Sequence, residues 1–289
     1  MKTISFFSAT LIVLTLVSCS KEQVVVKQAT ASIMLNVSYG ADSTQTFDAY
    51  LPANRSIDST KVIILIHGGS WVSGDKTELT PFINTLKIGL PTYAIFNINY
   101  RLSKYPANIF PTQENDINAA ITSIFTNAKT KYLISSKYAF VGVSAGAHLA
   151  MLQGFKNNSL VKPKAIASFS GPSDLTDMYN NPVGGNQFIS QALASAVGAT
   201  PSSNAVIYTT SSPINYVTKT SPPTILFQGG KDPYVSVTQA TAVQSKLVNA
   251  GVVNQYVYYP TQAHIGTWDD ITMYDAINKL QVFIQKNVL

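Results

Sequence analysis

The sequence predicts an α/β fold: a mostly parallel eight-stranded sheet that starts with an antiparallel hairpin and carries helices on both faces. Short runs of β-branched and aromatic residues alternate with longer segments in which apolar residues recur at helical spacing. Strands that alternate with helices form parallel sheets that are covered on both faces. The 289-residue chain has no internal repeat or linker after residue 31, so we expect one domain over residues 32–289.

The first 31 residues are not part of the predicted domain. Met1 and Lys2 give a short basic start, and an apolar stretch follows from Ile4 to Val17. This stretch is shorter than the ~20 residues of a membrane-spanning helix, but it is typical of a signal peptide. We therefore expect residues 1–18 to be a signal peptide and residues 19–31 to be a tether.

Cys19 is the only cysteine of the chain, which excludes an intramolecular disulfide. The segment Leu16-Val17-Ser18-Cys19 resembles the bacterial lipoprotein signal, in which the chain is cut before the cysteine and the thiol carries lipid. This resemblance implies an exported protein that acyl chains hold on a membrane of the bacterial cell envelope or at the cell surface. The alternative is an ordinary signal peptide that contains a cysteine by chance.

The first half of the domain is expected to start with the hairpin, because two partly alternating runs flank a turn-rich gap. A continuous β-branched run after it predicts a fully buried strand, and a further strand and two helices follow. The predicted elements are hairpin strands at 33–39 and 45–51, strands at 62–66 and 93–98, and helices at 81–88 and 113–126.

The second half continues this alternation, but residues 171–220 interrupt it. They are rich in Pro, Gly, Ser and Asn and contain one helical patch at 187–197. A long insert after a sheet strand is typical of a lid or a pocket wall, although it can also be packing filler. The other predicted elements are strands from 138, at 165–170, 224–228 and 255–259, and helices from 147, at 237–250 and at 271–287.

A G-x-S-x-G motif at residues 142–146 lies between a predicted strand and a predicted helix. In that context the motif is a nucleophile elbow, a tight turn that exposes a serine hydroxyl above the edge of the sheet. Gly142 and Gly146 suit this turn because side chains there would clash where the strand and the helix approach each other. Ser144 is therefore the candidate nucleophile.

A serine hydroxyl needs a base that removes its proton, and the base is most often histidine. Of the three histidines, His264 directly follows the last predicted strand and is the candidate base. His148 lies four residues after Ser144, but we expect its side chain to point back into the packing of the helix. His67 lies in a His-Gly-Gly loop, and we expect its side chain to hold this loop in place.

The base in turn needs a carboxylate that fixes its tautomer and stabilises the imidazolium. Asp232 follows the strand before the last, at the sheet edge where such a group reaches the active face. Asp174 follows the preceding strand and is the main alternative. Asp269 and Asp270 come after His264, which is the wrong chain order for this motif.

Acyl transfer also needs N–H donors for the oxyanion. The backbone N–H of Ala145, directly after the candidate nucleophile, is expected to supply one donor. The loop His67-Gly68-Gly69-Ser70 is expected to supply the other from Gly69, with Ser70 or Gly68 as alternates. Glycines suit this role because they let the backbone come close to a substrate.

Several motifs together resemble the α/β-hydrolase superfamily. They are His67-Gly68-Gly69-Ser70-Trp71 with Gly74-Asp75-Lys76, Asn99-Tyr100-Arg101-Leu102, the elbow with its helix, and Asp232 with His264. The chain after residue 33 is similar to the esterase branch that includes hormone-sensitive-lipase-like, acetylxylan and feruloyl esterases. Ser70 and Ala147 stand where that branch often has glycine. The resemblance implies an α/β-hydrolase fold and a serine esterase that uses no metal and no cofactor.

The expected reaction is hydrolysis of a carboxylic ester, in a small molecule or a polysaccharide, through an acyl-enzyme. The alternatives are formamidase or exopeptidase activity on the same residues, or a catalytically inactive binding module at the surface. The net charge of +6 does not indicate nucleic-acid binding, because the lysines are scattered and form no basic run.

Overall fold

The structure, a computed structural model, describes residues 28–156 and 159–289. The predicted signal peptide, Cys19 and most of the predicted tether lie outside these residues. The strands are β1 Ser32–Ser38, β2 Thr46–Leu51, β3 Val62–Ile66, β4 Ala94–Ile98, β5 Tyr138–Val143, β6 Ala165–Phe169, β7 Thr224–Gly229 and β8 Asn254–Tyr259.

The eight strands form one sheet in the order β1-β2-β4-β3-β5-β6-β7-β8. The strand β2 pairs antiparallel with β1 and with β4, and all other neighbours pair in parallel. This arrangement confirms the predicted α/β-hydrolase fold with its antiparallel start. The parallel strands β3, β5, β6, β7 and β8 therefore direct their carboxyl ends, and the loops that follow them, to one edge of the sheet.

The described residues form eight α-helices, two of which the sequence did not predict. They are α1 Thr80–Gly89, α2 Thr112–Thr126, α3 Ala145–Lys156, α4 Leu175–Asn180, α5 Gln187–Val197, α6 Ala205–Thr210, α7 Val237–Asn249 and α8 Asp270–Asn287. Short 3-10 helices lie at Lys76–Leu79, Val183–Gly185 and Pro213–Tyr216, and a π-helical turn lies at Ala128–Tyr132. In the ranges that the structure describes, no helix has the length and apolar character needed to cross a membrane.

Alternate residues of the central strands feed two cores, one on each face of the sheet. The parallel register aligns Ile64 with Phe96 and Phe140, which pack against α2, α3 and α7. Ile63 and Leu65 point to the opposite face and pack against α1 and α8. Burial on both faces explains why these strands are continuous apolar runs in the sequence rather than alternating ones.

The insert at 171–220 contains α4 and α6 besides the predicted helix α5. Both additional helices have only six residues, and side-chain caps start them: Asp174 accepts from the Asp177 N–H, and Asn204 from the Ile207 N–H. Helices this short have no sustained apolar period, so the sequence pattern does not indicate them.

Candidate active site

Ser144 occupies the sharp turn between β5 and α3. Its φ of 54° lies in the left-handed region, which non-glycine residues rarely adopt. The Ser144 N–H donates to the Phe169 carbonyl (2.8 Å), and the Ser144 carbonyl accepts from the His148 N–H (3.1 Å). A Cβ at Gly142 would overlap the backbone of Ala147, and one at Gly146 would overlap the Ile66 carbonyl. The two glycines thus allow the close approach of strand and helix that the turn requires.

His264 and Asp232 form a hydrogen-bonded pair at the carboxyl edge of the sheet. The His264 Nδ1 donates to Asp232 Oδ2 at 2.7 Å, so the proton lies on Nδ1 and Nε2 is left as the acceptor. The other carboxylate oxygen, Oδ1, accepts from the backbone N–H groups of Tyr234 and Val235, both at 2.9 Å. These contacts fix both the tautomer and the orientation of the imidazole.

The carboxylate of Asp232 is ionised although its side chain is fully buried. Burial alone raises the pKa of this carboxyl. The hydrogen bond and charge of His264 and the two backbone donors lower the pKa by more than burial raises it. The net effect is a pKa below the ordinary value, so Asp232 holds a negative charge beside the imidazole at neutral pH.

Ser144 and His264 line one cavity of about 500 Å³. Within the described residues no hydrogen bond joins the Ser144 hydroxyl to His264. Such contacts are often long in ligand-free enzymes and shorten when substrate binds. Apolar side chains form much of the rest of the cavity wall, among them Leu79, Phe82, Phe169, Met273 and Ile277.

The loop after β3 brings backbone N–H groups to the same cavity. Gly69, Ser70 and Trp71 have positive φ values of 98°, 52° and 63°, and the Gly69 carbonyl accepts from the Val72 and Ser73 N–H groups. A Cβ at Gly69 would overlap the Ser73 carbonyl, so this loop requires glycine there. Gly68, Gly69 and Ser70 all line the cavity.

Several backbone N–H groups around Ser144 have no acceptor. In the described part of the chain, those of Gly68, Gly69, Ser70 and Ala145 donate to no protein acceptor. Ala145 is the first residue of α3, where an N–H has no partner inside the helix. Gly68 also contributes a carbonyl, which accepts from the Tyr100 hydroxyl at 3.1 Å and helps to hold the loop.

The other two histidines are buried away from this chemistry. His148 donates from Nε2 to the Ser211 carbonyl (2.7 Å) and accepts at Nδ1 from the Trp71 indole (3.3 Å). His67 donates from Nδ1 to the Gly68 carbonyl (2.8 Å) and stacks on the Tyr100 ring with centroids 4.4 Å apart. Burial lowers the pKa of each to about 4, so both are neutral at physiological pH.

The alternative carboxylates have structural partners. Asp174 caps α4 and accepts from the Asp177 N–H at 3.0 Å. Asp269 caps α8 and accepts from the Thr272 N–H at 2.8 Å. Among the residues that the structure describes, neither of them bonds to His264, and no cluster of His, Cys, Asp or Glu could hold a metal ion.

Sequence reasoning missed two residues that shape the site. Tyr100 supports the Gly68 carbonyl, and Tyr234 lines the cavity with its ring edge-on to the His264 imidazole, centroids 5.3 Å apart. Tyr100 belongs to the Asn99-Tyr100-Arg101-Leu102 motif, and Tyr234 comes two residues after Asp232. Their positions next to functional motifs were the available signal.

Known proteins resemble this chain in sequence and in fold. Esterase LipQ of Mycobacterium tuberculosis is 27% identical over 216 residues, which cover 70% of this chain and 49% of LipQ. This chain therefore spans about half the length of that relative. A solved bifunctional GH43-CE of Bacteroides eggerthii superposes with a TM-score of 0.75 at 25% identity, covering 89% of this chain and 38% of that one.

A second solved structure, a truncated carbohydrate esterase from gut microbiota, has the same fold, with a TM-score of 0.73 at 23% identity. The superposition covers 88% of this chain and 96% of the carbohydrate esterase. The BD-FAE family model matches residues 47–247, which include Ser144 and Asp232 and end before His264. Because this match covers more than half of the chain, the protein belongs to the BD-FAE family.

Proposed function

We propose that this protein hydrolyses carboxylic esters with Ser144 as nucleophile and His264 as general base and acid. Asp232 orients His264 and stabilises the positive charge that His264 acquires during the reaction. The observation that carries the proposal is the shared cavity. Its wall contains a strained serine, an imidazole whose Nδ1 is committed to a buried carboxylate, and backbone N–H groups without acceptors. The family membership and the relative named as an esterase support the same reaction.

In the proposed reaction, the Nε2 of His264 takes the Ser144 proton as the hydroxyl oxygen attacks the ester carbonyl. The carbonyl oxygen becomes an oxyanion, which the N–H groups of Ala145 and Gly69, with Ser70 beside them, stabilise. The tetrahedral intermediate collapses, and His264 gives its proton to the leaving alcohol. Water then attacks the acyl-enzyme with His264 again as the base, which releases the acid and restores Ser144.

The lining of the cavity favours neutral substrates. Apolar side chains dominate the wall. Among the described residues that line the cavity, the exposed Glu78 is the one carboxylate. An apolar wall disfavours a free carboxylate on the substrate because such a charge would lose its hydration there. The carbohydrate esterase that shares this fold makes acylated sugars and polysaccharides the first esters to test.

The proposed site of action is the bacterial cell envelope or cell surface, where lipid on Cys19 would anchor the mature chain. The support for this proposal is the apolar stretch that ends at Leu16-Val17-Ser18-Cys19. Mass spectrometry of protein from the membrane fraction tests it. Diacylglycerol on an N-terminal Cys19 supports the anchor, and an unmodified Cys19 thiol refutes it.

The nucleophile assignment is tested with Ser144→Ala. We expect kcat for p-nitrophenyl acetate to fall on the order of 10⁶-fold, because the covalent step loses its attacking oxygen. The matched control is Ser245→Ala, since Ser245 is exposed on α7 and outside the cavity. Turnover of Ser144→Ala at the rate of the control would refute the proposed function.

A further inference from the structure

A second, smaller cavity of about 180 Å³ lies beside the cavity that contains Ser144. The two cavities share Ser70 and Tyr234 as a common wall. The far side of the second cavity comes from the insert at 171–220, through Met178 in α4 and Phe188 in α5. None of the insert residues lines the larger cavity.

Two exposed aromatic rings define this second cavity. Phe188 is 79% exposed and Tyr234 is 55% exposed, whereas most large apolar side chains of the described chain are buried. The backbone of Phe188 is anchored at the start of α5, because its N–H donates to the Asn186 side chain (3.1 Å). Exposed aromatic rings at the rim of a cavity are typical of a binding surface.

Tyr234 connects the second cavity to the proton-transfer step. Its ring lies edge-on to the His264 imidazole, with centroids 5.3 Å apart. His264 must protonate the oxygen of the leaving alcohol, so the alcohol part of an ester begins beside His264. A group that continues from this oxygen over Tyr234 enters the second cavity.

We propose that the second cavity binds the alcohol part of the substrate as a sugar ring on Phe188 and Tyr234, while the acyl group occupies the larger cavity. This inference rests on the proposed ester hydrolysis. A sugar ring has apolar C–H faces, which pack on aromatic rings, and hydroxyl groups, which the exposed side chain of Asn186 at the rim can bind.

The side chains that line the two cavities favour this assignment over the reverse one. Leu79, Phe82 and Phe169 give the larger cavity an apolar wall, which suits an acyl chain. The second cavity has its most exposed ring, Phe188, at the rim, so a sugar bound there can continue into a longer carbohydrate chain.

The test compares two acetate esters that differ only in the alcohol: acetylated xylooligosaccharide and ethyl acetate. We expect Phe188→Ala to raise KM for the sugar ester about fivefold and to leave kcat unchanged. A change of this size corresponds to the loss of one aromatic ring that stacks on the sugar. KM for ethyl acetate should stay within about twofold, because its alcohol does not reach Phe188. The control is Val206→Ala, an exposed apolar position on α6 of the same insert that lines neither cavity.

A reciprocal variant tests the acyl side. Phe82→Trp should narrow the larger cavity and lower kcat/KM for ethyl octanoate about tenfold relative to ethyl acetate, since a long acyl chain needs that space. Sensitivity of ethyl octanoate to Phe188→Ala instead would reverse the assignment and overturn the inference. Equal KM values of wild type and Phe188→Ala for the sugar ester would overturn it too. Absence of any ester turnover in the wild type would instead refute the proposed function.

Discussion

The role of each polar side chain in the candidate site is set by the groups that surround it. Asp232 and Asp174 both follow a strand at the same edge of the sheet, yet only Asp232 bonds to a histidine. Asp174 accepts an N–H of its own helix instead. The same chemical group therefore orients a histidine in one place and caps a helix in the other.

The first prediction concerns this difference. Asp232→Asn should lower kcat for ester hydrolysis about 10⁴-fold, because the amide stabilises the wrong His264 tautomer and carries no charge. Asp174→Asn is the matched control, and it should keep the wild-type kcat since asparagine caps a helix as well as aspartate does. Steady-state kinetics with p-nitrophenyl acetate distinguishes them. A large loss in Asp174→Asn with a normal Asp232→Asn would move the acid to Asp174.

The elbow packs its helix closely against the sheet. Gly146 lies in the first turn of α3, where a Cβ would overlap the backbone carbonyls of Ile66 and His67 at the end of β3. Neither carbonyl belongs to a flexible side chain, so relief requires the helix to move away from the sheet. That movement would also displace Ser144 and the free N–H of Ala145.

The second prediction follows from this overlap. Gly146→Ala should destabilise the fold by about 3 kcal/mol, as expected for overpacking at a rigid backbone contact. Gly184→Ala is a control with a φ of 61° and no atom within 4 Å of its Cβ, so it should cost only about 1 kcal/mol of left-handed strain. Urea unfolding measures both free energies. Equal destabilisation by the two substitutions would mean that α3 can move away from the sheet without a cost in stability.

The strands and most helices could be predicted from the sequence because their signals are local. The run Val62–Ile66 is apolar at every position, and the α5 pattern at 187–197 gave the observed helix Gln187–Val197. The elbow was visible as a five-residue motif in a strand–helix context. The position of the insert relative to the cavities could not be predicted, because it depends on contacts such as that of His148 with Ser211, 63 residues apart.

The long-range contacts of the candidate site were predictable only where a motif linked the residues. The pair of His264 and Asp232 spans 32 residues, and chain order within the motif was what indicated it. The Tyr100 hydroxyl reaches the Gly68 carbonyl across 32 residues without any local pattern that links them. Tyr234 became a shared wall of two cavities only through the fold of the insert.

Buried neutral histidines make the stability of the whole protein depend on pH. Burial lowers the pKa of His148 from 6.5 to about 4 in the folded protein. As the pH falls below about 6.5, the unfolded chain binds a proton that the folded chain does not. The free energy of unfolding therefore decreases between pH 6.5 and about pH 4, and the loss is complete below the folded pKa.

The third prediction isolates His148. His148→Gln keeps a polar side chain but removes the titrating group. Between pH 7.5 and pH 4, the free energy of unfolding should therefore decrease by about 3 kcal/mol less in this variant than in the wild type. Urea unfolding at both pH values gives the two differences. His67 titrates alike in both proteins and cancels in the comparison. Identical pH dependence of the two proteins would contradict a neutral buried His148.

Mass spectrometry of the protein after reaction with a fluorophosphonate tests whether Ser144 is the nucleophile. The Ser144 oxygen should displace fluoride and give one phosphonate adduct per chain, on the peptide that contains Ser144, and ester hydrolysis should fall in proportion to labelling. His264→Ala should slow this labelling, since the serine loses its base. An adduct on another residue, or full ester hydrolysis by protein that is completely labelled at Ser144, would contradict the account.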